Sequence, residues 1–254
     1  MPGAEVQYSL RLDDSETPLN EMLGQRIRLS FLGKIHCIHC GKATKKSWQQ
    51  GYCYPCTLKL AETDICIVKP ELCHYARGTC RDSAWAQNHC MKPHVVYLAN
   101  SSGVKVGITR ESQVPTRWLD QGASEALPLF KVSTRLDSGK AEILLGQHVA
   151  DKTNWQRMLK GVPEAQDLKA IKAQLLEKVG AELAPYIVED IQSEVLTFTY
   201  PVRTWPAKVT SLSPEKTPTI ESELVGIKGQ YLIFASGVLN MRNQAGHLIR
   251  WEIL

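Results

Sequence analysis

Two pairs of cysteines in the first quarter of the chain have the spacing of a metal site. Cys37 and Cys40 form one Cys-x-x-Cys knuckle, and Cys53 and Cys56 form another twelve residues further on. Each knuckle holds two thiolates within reach of one ion, and two knuckles can close a tetrahedral site around Zn²⁺. The pattern therefore predicts a zinc ribbon. Buried free thiols or two disulfides are the alternatives, and this spacing in a reducing compartment favours metal over both.

A second group of cysteines follows, with intervals of six, six and nine residues between its members: Cys66, Cys73, Cys80 and Cys90. We expect a second Zn²⁺ held by these four thiolates, with His74 or His89 able to replace one of them. The segment around them has few large aliphatic residues and needs a metal to fold. The alternatives are thiols that pack a small core, or a site that uses only some of them.

Basic residues between the two knuckles could contact nucleic acid. They lie close to a tryptophan in the sequence, so cations and a stacking ring could meet phosphate and base. A solvated loop is the alternative. The candidate nucleic-acid-binding residues, with Lys59 as an additional cation, are Lys42, Lys45, Lys46, Trp48, Lys105, Arg110 and Arg117.

The composition indicates an intracellular globular protein. The chain has 254 residues, of which 43% are hydrophobic, enough for one large domain or two small ones. No basic region precedes an apolar run near Met1, and no stretch approaches the roughly 18 apolar residues of a membrane span. We therefore expect a cytoplasmic protein without a membrane partner. A net charge of +4 is only mildly basic, so a nucleic-acid surface must come from local clustering.

The residues after the cysteines predict an α/β unit. Residues 94–99 and 104–109 are apolar strands joined by a turn, which makes a hairpin. A short helix begins at Pro115 and ends before Gly122, and residues 127–134 form a third strand. The Asp-Ser-Gly sequence at 137–139 should cap a helix over residues 140–150. A longer helix over 164–183 carries one apolar face: Leu168, Ile171, Leu175, Leu176, Val179 and Leu183.

This order of hairpin, helix with arginine, strand and helix with glutamate resembles the GIY-YIG nuclease core. Residues 95–97, Val-Val-Tyr, stand where the first triplet would be, and residues 105–107, Lys-Val-Gly, where the second would be. The resemblance covers about a quarter of the chain, residues 94–160. With the preceding cysteines, the whole chain is similar to an uncharacterised bacterial family of unknown function in which zinc knuckles precede such a module.

The resemblance implies a catalytic set of Tyr97, Lys105, Arg117 and Glu142. Glu142 would hold Mg²⁺ or Mn²⁺, Arg117 would neutralise charge building on phosphate, and Tyr97 would help the attacking water. Lys105 stands in place of the second tyrosine of the motif, which favours binding without efficient cleavage. On the residues alone, Tyr97 is a packing residue of a half-buried strand, and Arg117 pairs with a neighbouring carboxylate on a solvated face.

Both ends of the chain predict β-structure. Strands are expected at 6–12 and 26–32, then at 187–202, 229–234, 238–241 and 247–254, with a proline-rich surface loop at 204–219. We expect the two ends to pair in one small barrel or sheet. The predicted fold is α+β, with β-strands at 1–34, a zinc-binding segment at 35–93, the GIY-YIG-like core at 94–160, an amphipathic helix at 161–186 and a β-rich region at 187–254.

These features favour a zinc-containing protein that binds DNA or RNA and has a GIY-YIG-like core. A divalent-metal-dependent endonuclease is the enzymatic form of this hypothesis. The competing hypothesis is a protein-interaction adaptor, in which the zinc sites staple loops that dock on a larger assembly such as a ribosome or polymerase. A small-ligand site built on Tyr97 and Arg117 ranks last.

Overall fold

Three antiparallel β-sheets organise the described part of the chain, which comprises residues 5–149, 153–192 and 194–254 of a computed structural model. The first sheet is a hairpin of β1 (Ser9–Leu12) and β2 (Ser15–Pro18). The second, here called the terminal sheet, has six strands: β3 (Arg26–His36), β4 (Ala43–Thr44), β10 (Thr219–Lys228), β11 (Tyr231–Phe234), β12 (Gly237–Asn240) and β13 (His247–Ile253).

The third sheet, here called the core sheet, has five strands: β5 (His94–Asn100), β6 (Val104–Arg110), β7 (Glu125–Val132), β8 (Ile187–Asp190) and β9 (Leu196–Thr197). The helices are α1 (Tyr54–Lys59), α2 (Ile65–Val68), α3 (Ser83–His89), α4 (Thr116–Asp120), α5 (Arg135–Gly146), α6 (Trp155–Met158) and α7 (Leu168–Leu183). The α+β class is confirmed. Within the described residues no helix is both long enough and apolar enough to cross a membrane.

The terminal sheet joins strands from opposite ends of the chain. β3 lies between β10 and β13, with Leu29 opposite Ile220 on one side and opposite Trp251 on the other. Ile27 and Leu29 alternate with more exposed residues along β3 and are fully buried. β3 runs directly into the first cysteine knuckle, so the sheet fixes where that knuckle begins. β10 was missed by sequence reasoning, although its buried residues also alternate.

The core sheet is built around β5, every residue of which is buried. β5 pairs with β6 and with β7, and the predicted hairpin is therefore present. Helices α5 and α7 pack on one face of this sheet, where the predicted apolar stripe of α7 joins the core. The strand predicted over 187–202 is instead the two short strands β8 and β9, both of which pair with β7.

The helix that carries Glu142 begins earlier than the sequence predicts. The Thr134 hydroxyl accepts a hydrogen bond from the Asp137 N–H at 3.2 Å, so Thr134 is the N-cap and the prediction of a cap at 137–139 is wrong. Gly139 consequently lies inside α5, where a Cβ would be 2.6 Å from the Cβ of Pro70. The cysteine-rich segment thus packs directly on α5. The predicted end of this helix, Ala150, lies outside the described residues.

A buried lysine fastens the terminal sheet to the loop after α6. Lys228, the last residue of β10, has no exposed surface, and its Nζ donates a hydrogen bond to the Gly161 carbonyl at 3.0 Å. The rings of Tyr200 and Trp205 lie with their centroids 5.4 and 5.1 Å from Nζ. Burial lowers the pKa of Lys228 to about 8. The groups described here as holding the ammonium are one carbonyl and two aromatic rings, and none of these three is a carboxylate.

This arrangement predicts an unusual pH dependence of stability. The unfolded chain keeps the Lys228 proton up to pH of about 10.5, whereas the folded chain releases it above about 8, so folding becomes more favourable between these values. Lys228→Met removes the titration. Urea unfolding from pH 7.5 to 10 should show the wild type gaining on the order of 1–2 kcal/mol relative to Lys228→Met.

Both proteins share every other titrating group, so the difference between them isolates Lys228. Parallel stability curves for the two proteins across this pH range would contradict the prediction.

Candidate functional site

The first four cysteines form a cluster with the geometry of a tetrahedral metal centre. The sulfurs of Cys37, Cys40, Cys53 and Cys56 all lie within 4.8 Å of one another, and Cys40 Sγ is 3.8 Å from Cys53 Sγ. Bonds of about 2.3 Å from Zn²⁺ to four tetrahedral sulfurs put neighbouring sulfurs about 3.8 Å apart. A disulfide would need about 2.05 Å, and all four thiols are free. The cluster could therefore hold zinc.

Local backbone structure explains how each knuckle is formed. After β3, the Gly41 N–H donates to the Cys37 carbonyl at 2.8 Å, and Gly41 has a φ of 69°, which suits glycine. In the second knuckle, Cys53 is the residue before α1 and Pro55 lies in its first turn, where proline is tolerated. The knuckles therefore come from a turn at the end of a strand and from the start of a helix.

The electrostatics of this cluster favour a bound cation. Burial opposes ionisation of Cys37, but the N–H groups of Cys40, Cys53 and His39 outweigh it and lower the pKa of Cys37 to about 6. Burial and hydrogen bonds with the other thiols raise the pKa of Cys56 to about 12. The Cys37 thiolate is therefore stabilised while Cys56 resists a further negative charge, and a divalent ion would relieve that repulsion.

The second group of cysteines lines one small cavity together with Asp64, His74 and Arg81. Within the described chain, the other group whose potential ligand atoms approach within 4.8 Å is Asp64, Cys66 and His74. This group shares Cys66 with the predicted set of four cysteines and contains His74, one of the two predicted substitutes for a thiolate, whereas Asp64 was not predicted. Asp64 is already engaged, since its carboxylate accepts from the Cys66 N–H and lies 2.6 Å from Arg81 Nε.

Tyr97 lies beneath the floor of a large cleft. It is fully buried in β5, and its hydroxyl donates to Gln121 Oε1 at 3.0 Å. Gly107, opposite it on β6, has no side chain, and a Cβ there would be 2.7 Å from the Tyr97 hydroxyl oxygen. Burial raises the pKa of Tyr97 to about 12, although Arg117 beside it acts in the opposite direction. Glycine at this motif position therefore lets the tyrosine sit directly under β6.

The cleft above Tyr97 has a volume of about 990 Å³ and brings together the other predicted catalytic residues: Lys105, Arg117 and Glu142. Lys105 is nearly buried in β6, Arg117 is exposed on α4, and Glu142 is half-buried on α5. Arg110 also lines the cleft. Strand β6 and helices α4 and α5 therefore place a carboxylate and several cations around the same cleft.

The basic loop between the knuckles lies elsewhere. Lys42, Lys45 and Lys46 are exposed, and none of them is among the residues that line the cleft. Lys46 Nζ is 4.5 Å from the centroid of the Trp48 ring, and Trp48 packs against Tyr54 at 5.1 Å. The candidate nucleic-acid residues are thus divided between this surface loop and the cleft, and Lys59 is exposed on α1.

Sequence reasoning missed several residues of the cleft. Arg135, the first residue of α5, lines it, and so do Gln121 and Asp120 from the end of α4. Further lining residues come from the ribbon and the terminal sheet: Ile38, Gln49, Gln50, Tyr52, Gln230, Arg242 and Ala245. Arg135 carried a local signal, since it is a cation at the start of the helix with Glu142. The sequence at 242–244, Arg-Asn-Gln, predicts a turn that could be a contact loop or only a turn. Neither this turn nor the other ribbon and terminal-sheet residues carried a signal that they lie at the cleft, because long-range strand pairing brings them here.

The fold and the site together define an α+β protein with a four-cysteine centre and a mixed-charge cleft. The model of one protein family, described as "Protein of unknown function (DUF2797)", matches residues 24–249, and the chain belongs to that family. No curated protein and no solved structure matches the chain. The expected membership of an uncharacterised family is therefore confirmed.

The ribbon geometry predicts the metal content of a cysteine variant. Cys40 is exposed, so Cys40→Ser removes a ligand with little loss of packing. Purified variant should contain about one zinc equivalent less than the wild type by elemental analysis, and its ribbon should become protease-sensitive because zinc binding is coupled to folding.

The matched control is Lys42→Ser, which alters the same loop without removing a sulfur. An unchanged zinc content in Cys40→Ser would show that the cluster is not a metal site.

Proposed function

We propose that this protein binds nucleic acid in the cleft, using a GIY-YIG-like face of the core sheet. The observation that carries the proposal is the convergence of Tyr97, Arg117 and Glu142 from three separate elements. Burial has the largest effect on the pKa of Tyr97, and of the two charged groups Arg117 lowers it and Glu142 raises it, so both charges lie close enough to act on the Tyr97 hydroxyl. This is the set that the resemblance to GIY-YIG nucleases implies, and cations beside it suit a phosphate backbone.

Binding without efficient cleavage is the form of this function that we favour. Tyr97 is fully buried and keeps its proton at neutral pH, because burial raises its pKa to about 12, so it is a poor general base. Lys105 occupies the position of the second motif tyrosine and offers an amine that can contact phosphate in place of the phenol. If the protein is an endonuclease, Glu142 would hold the Mg²⁺ or Mn²⁺ that polarises the phosphodiester.

The ribbon contributes residues to the wall of the cleft, which indicates its role in the proposed function. The zinc ribbon supports one side of the cleft through Ile38, Gln50 and Tyr52. Its metal is therefore structural in this proposal, because all four positions would be filled by protein sulfurs and none would be open for substrate. Eight free cysteines also suit the reducing cytoplasm, to which we assign the protein.

We further propose that a second Zn²⁺ is held by Cys66, Cys73, Cys80 and Cys90. Their lining of a single small cavity supports this set. Burial raises the pKa of Cys66 to about 12, with Asp64 and neighbouring thiols adding to the effect, so ionised thiolates here need a cation. Asp64 is the weaker ligand candidate because its ion pair with Arg81 would have to break.

A pair of variants separates the two ligand sets. Cys80→Ser should contain about one zinc equivalent less than wild type, because it loses the second zinc and keeps the ribbon zinc. Asp64→Asn should have the zinc content of wild type. Elemental analysis measures both. The opposite result, loss in Asp64→Asn alone, would assign the metal to Asp64, Cys66 and His74. A wild type with only one equivalent would exclude a second site.

Docking on a larger assembly is the second candidate function. Three large apolar residues of the cysteine-rich segment are exposed: Ile65 by 56%, Val68 by 75% and Leu72 by 44%. Such neighbouring apolar surface is typical of protein-interaction sites. In this alternative, the metal centres fix loops that bind a ribosomal or polymerase surface.

Variants of Arg117 and Glu142 distinguish three possibilities: nucleic-acid binding without cleavage, endonuclease activity, and docking on a larger assembly. We expect wild type to bind an oligonucleotide without cutting it in Mg²⁺ or Mn²⁺. Arg117→Ala should weaken binding about tenfold, because a charge-assisted phosphate contact is lost. Glu142→Gln should bind at least as well as wild type, because a negative charge beside the phosphate is removed. Filter binding and gel analysis of cleavage measure these effects.

Arg11→Ala, a matched loss of an exposed arginine on β1, is the control. Metal-dependent cutting that Glu142→Gln abolishes would replace the binding form by the endonuclease. A wild type that binds no nucleic acid would remove the proposed function and favour docking.

A further inference from the structure

A turn of the terminal sheet delivers an arginine into the cleft. The chain leaves β12 through a short 3-10 turn, Arg242–Gln244, before β13 begins. Arg242 lines the cleft with Gln230 and Ala245, and it is exposed. Its Nε donates a hydrogen bond to Oε1 of Gln50. A guanidinium on a solvent-facing turn is thereby held in one direction by a neutral amide, which leaves its charge available to a ligand.

The amide that holds Arg242 belongs to a strained turn of the ribbon. Gln49 and Gln50 have φ values of 41° and 65°, which non-glycine residues adopt rarely, and Gly51 follows with 125°. The Trp48 and Tyr52 backbones close this turn with hydrogen bonds of 2.8 and 2.9 Å. Strain of this kind persists where the surroundings impose it and is concentrated at ligand sites.

The surroundings that impose the strain are the ribbon and the terminal sheet. A Cβ on Gly51 would be 2.8 Å from Ile38 Cδ1, and one on Gly246 would be 2.2 Å from the His36 carbonyl. The strained turn is therefore clamped between the first knuckle and the loop that enters β13. We name the four residues Gln49, Gln50, Tyr52 and Arg242 the ribbon wall.

The charges of the whole cleft favour an anionic ligand that reaches both the core and the ribbon wall. Its lining has five cations and three carboxylates: Lys105, Arg110, Arg117, Arg135 and Arg242 against Glu62, Asp120 and Glu142. Its volume of about 990 Å³ is at the upper end of the range of about 300–1,000 Å³ for small-ligand pockets. A ligand that fills it would need more than one phosphate to meet both cationic regions.

We propose that Arg242, held by Gln50, is a specificity-determining residue that binds a second phosphate of the strand whose first phosphate meets Arg117. This inference rests on the proposed function and deepens it. The ligand class is an oligonucleotide, because a single mononucleotide phosphate would engage only the core side. The ribbon wall would then select for chain length rather than for base sequence, since a guanidinium–phosphate contact carries no sequence information.

The test compares Arg242→Ala with Arg250→Ala, a matched loss of an exposed arginine on β13 outside the cleft. Binding of a labelled single-stranded oligonucleotide is measured by fluorescence anisotropy over a range of salt concentrations. Arg242→Ala should weaken binding about tenfold and reduce the salt slope by about 0.7, the value for one phosphate contact on a single strand. Arg250→Ala should change neither, and a competing mononucleotide should bind wild type and Arg242→Ala equally.

Gln50→Gly tests the supporting hydrogen bond. Glycine fits the positive φ without strain, so this variant removes the amide while preserving the turn. It should weaken oligonucleotide binding by about three- to fivefold without changing the thermal midpoint by more than a few degrees. Wild-type affinity in Gln50→Gly would refute the role of Gln50.

The outcomes distinguish this inference from the proposed function. If wild type binds and Arg117→Ala weakens binding while Arg242→Ala matches Arg250→Ala, the second phosphate contact is refuted and the proposed function stands. If wild type binds no oligonucleotide, both are refuted. Circular dichroism of each variant verifies the fold, and Arg242 is exposed, so its replacement leaves the core untouched.

Discussion

The pairing of β3 with strands from the far end of the chain is the constraint on which the rest of the structure depends. Hydrogen bonds to β10 and β13 fix β3 on both sides, and Cys37 follows β3 without a spacer. The direction in which the first knuckle leaves the sheet is therefore determined by residues roughly 190–230 positions away in the sequence. The same pairing carries the turn with Arg242 to the ribbon. Without it, the cleft would have only its core side.

Two close backbone approaches set the core side of the cleft. Gly107 lets the Tyr97 ring pack under β6, and Gly139 lets the cysteine-rich segment pack on α5. A side chain at either position would push apart elements that now touch, and the groups facing the cleft would move with them. The geometry of the site therefore depends on the glycines at these two positions as well as on the charged residues. It also couples Glu142 to the segment that contains the second group of cysteines.

Features governed by local spacing could be predicted from the sequence. The ribbon cluster, the β5–β6 hairpin and the apolar stripe of α7 follow from intervals of a few residues, and each is present. The predicted start of α5 was wrong because Thr134 and Asp137 are both residue types that cap helices. In the structure the Asp137 N–H donates to the Thr134 hydroxyl, so Thr134 is the N-cap. The contact between Arg242 and Gln50 could not be predicted, because it spans 192 positions and is created by sheet pairing. Nothing in a short window of sequence encodes such proximity.

The dependence of the terminal sheet on both ends of the chain has a consequence for biogenesis. On a translating ribosome, the segment with Cys37, Cys40, Cys53 and Cys56 emerges early, and it contains all four sulfurs of the cluster. β3, by contrast, must wait for β10 and β13, which at about 5–20 residues per second is a delay of roughly 10–40 s. During that interval β3 can pair only with β4, through Ile35 and His36, and the rest of its two edges is exposed. A nascent chain therefore completes its cleft last, and truncated products would be aggregation-prone and would lack the side of the cleft that the terminal sheet forms.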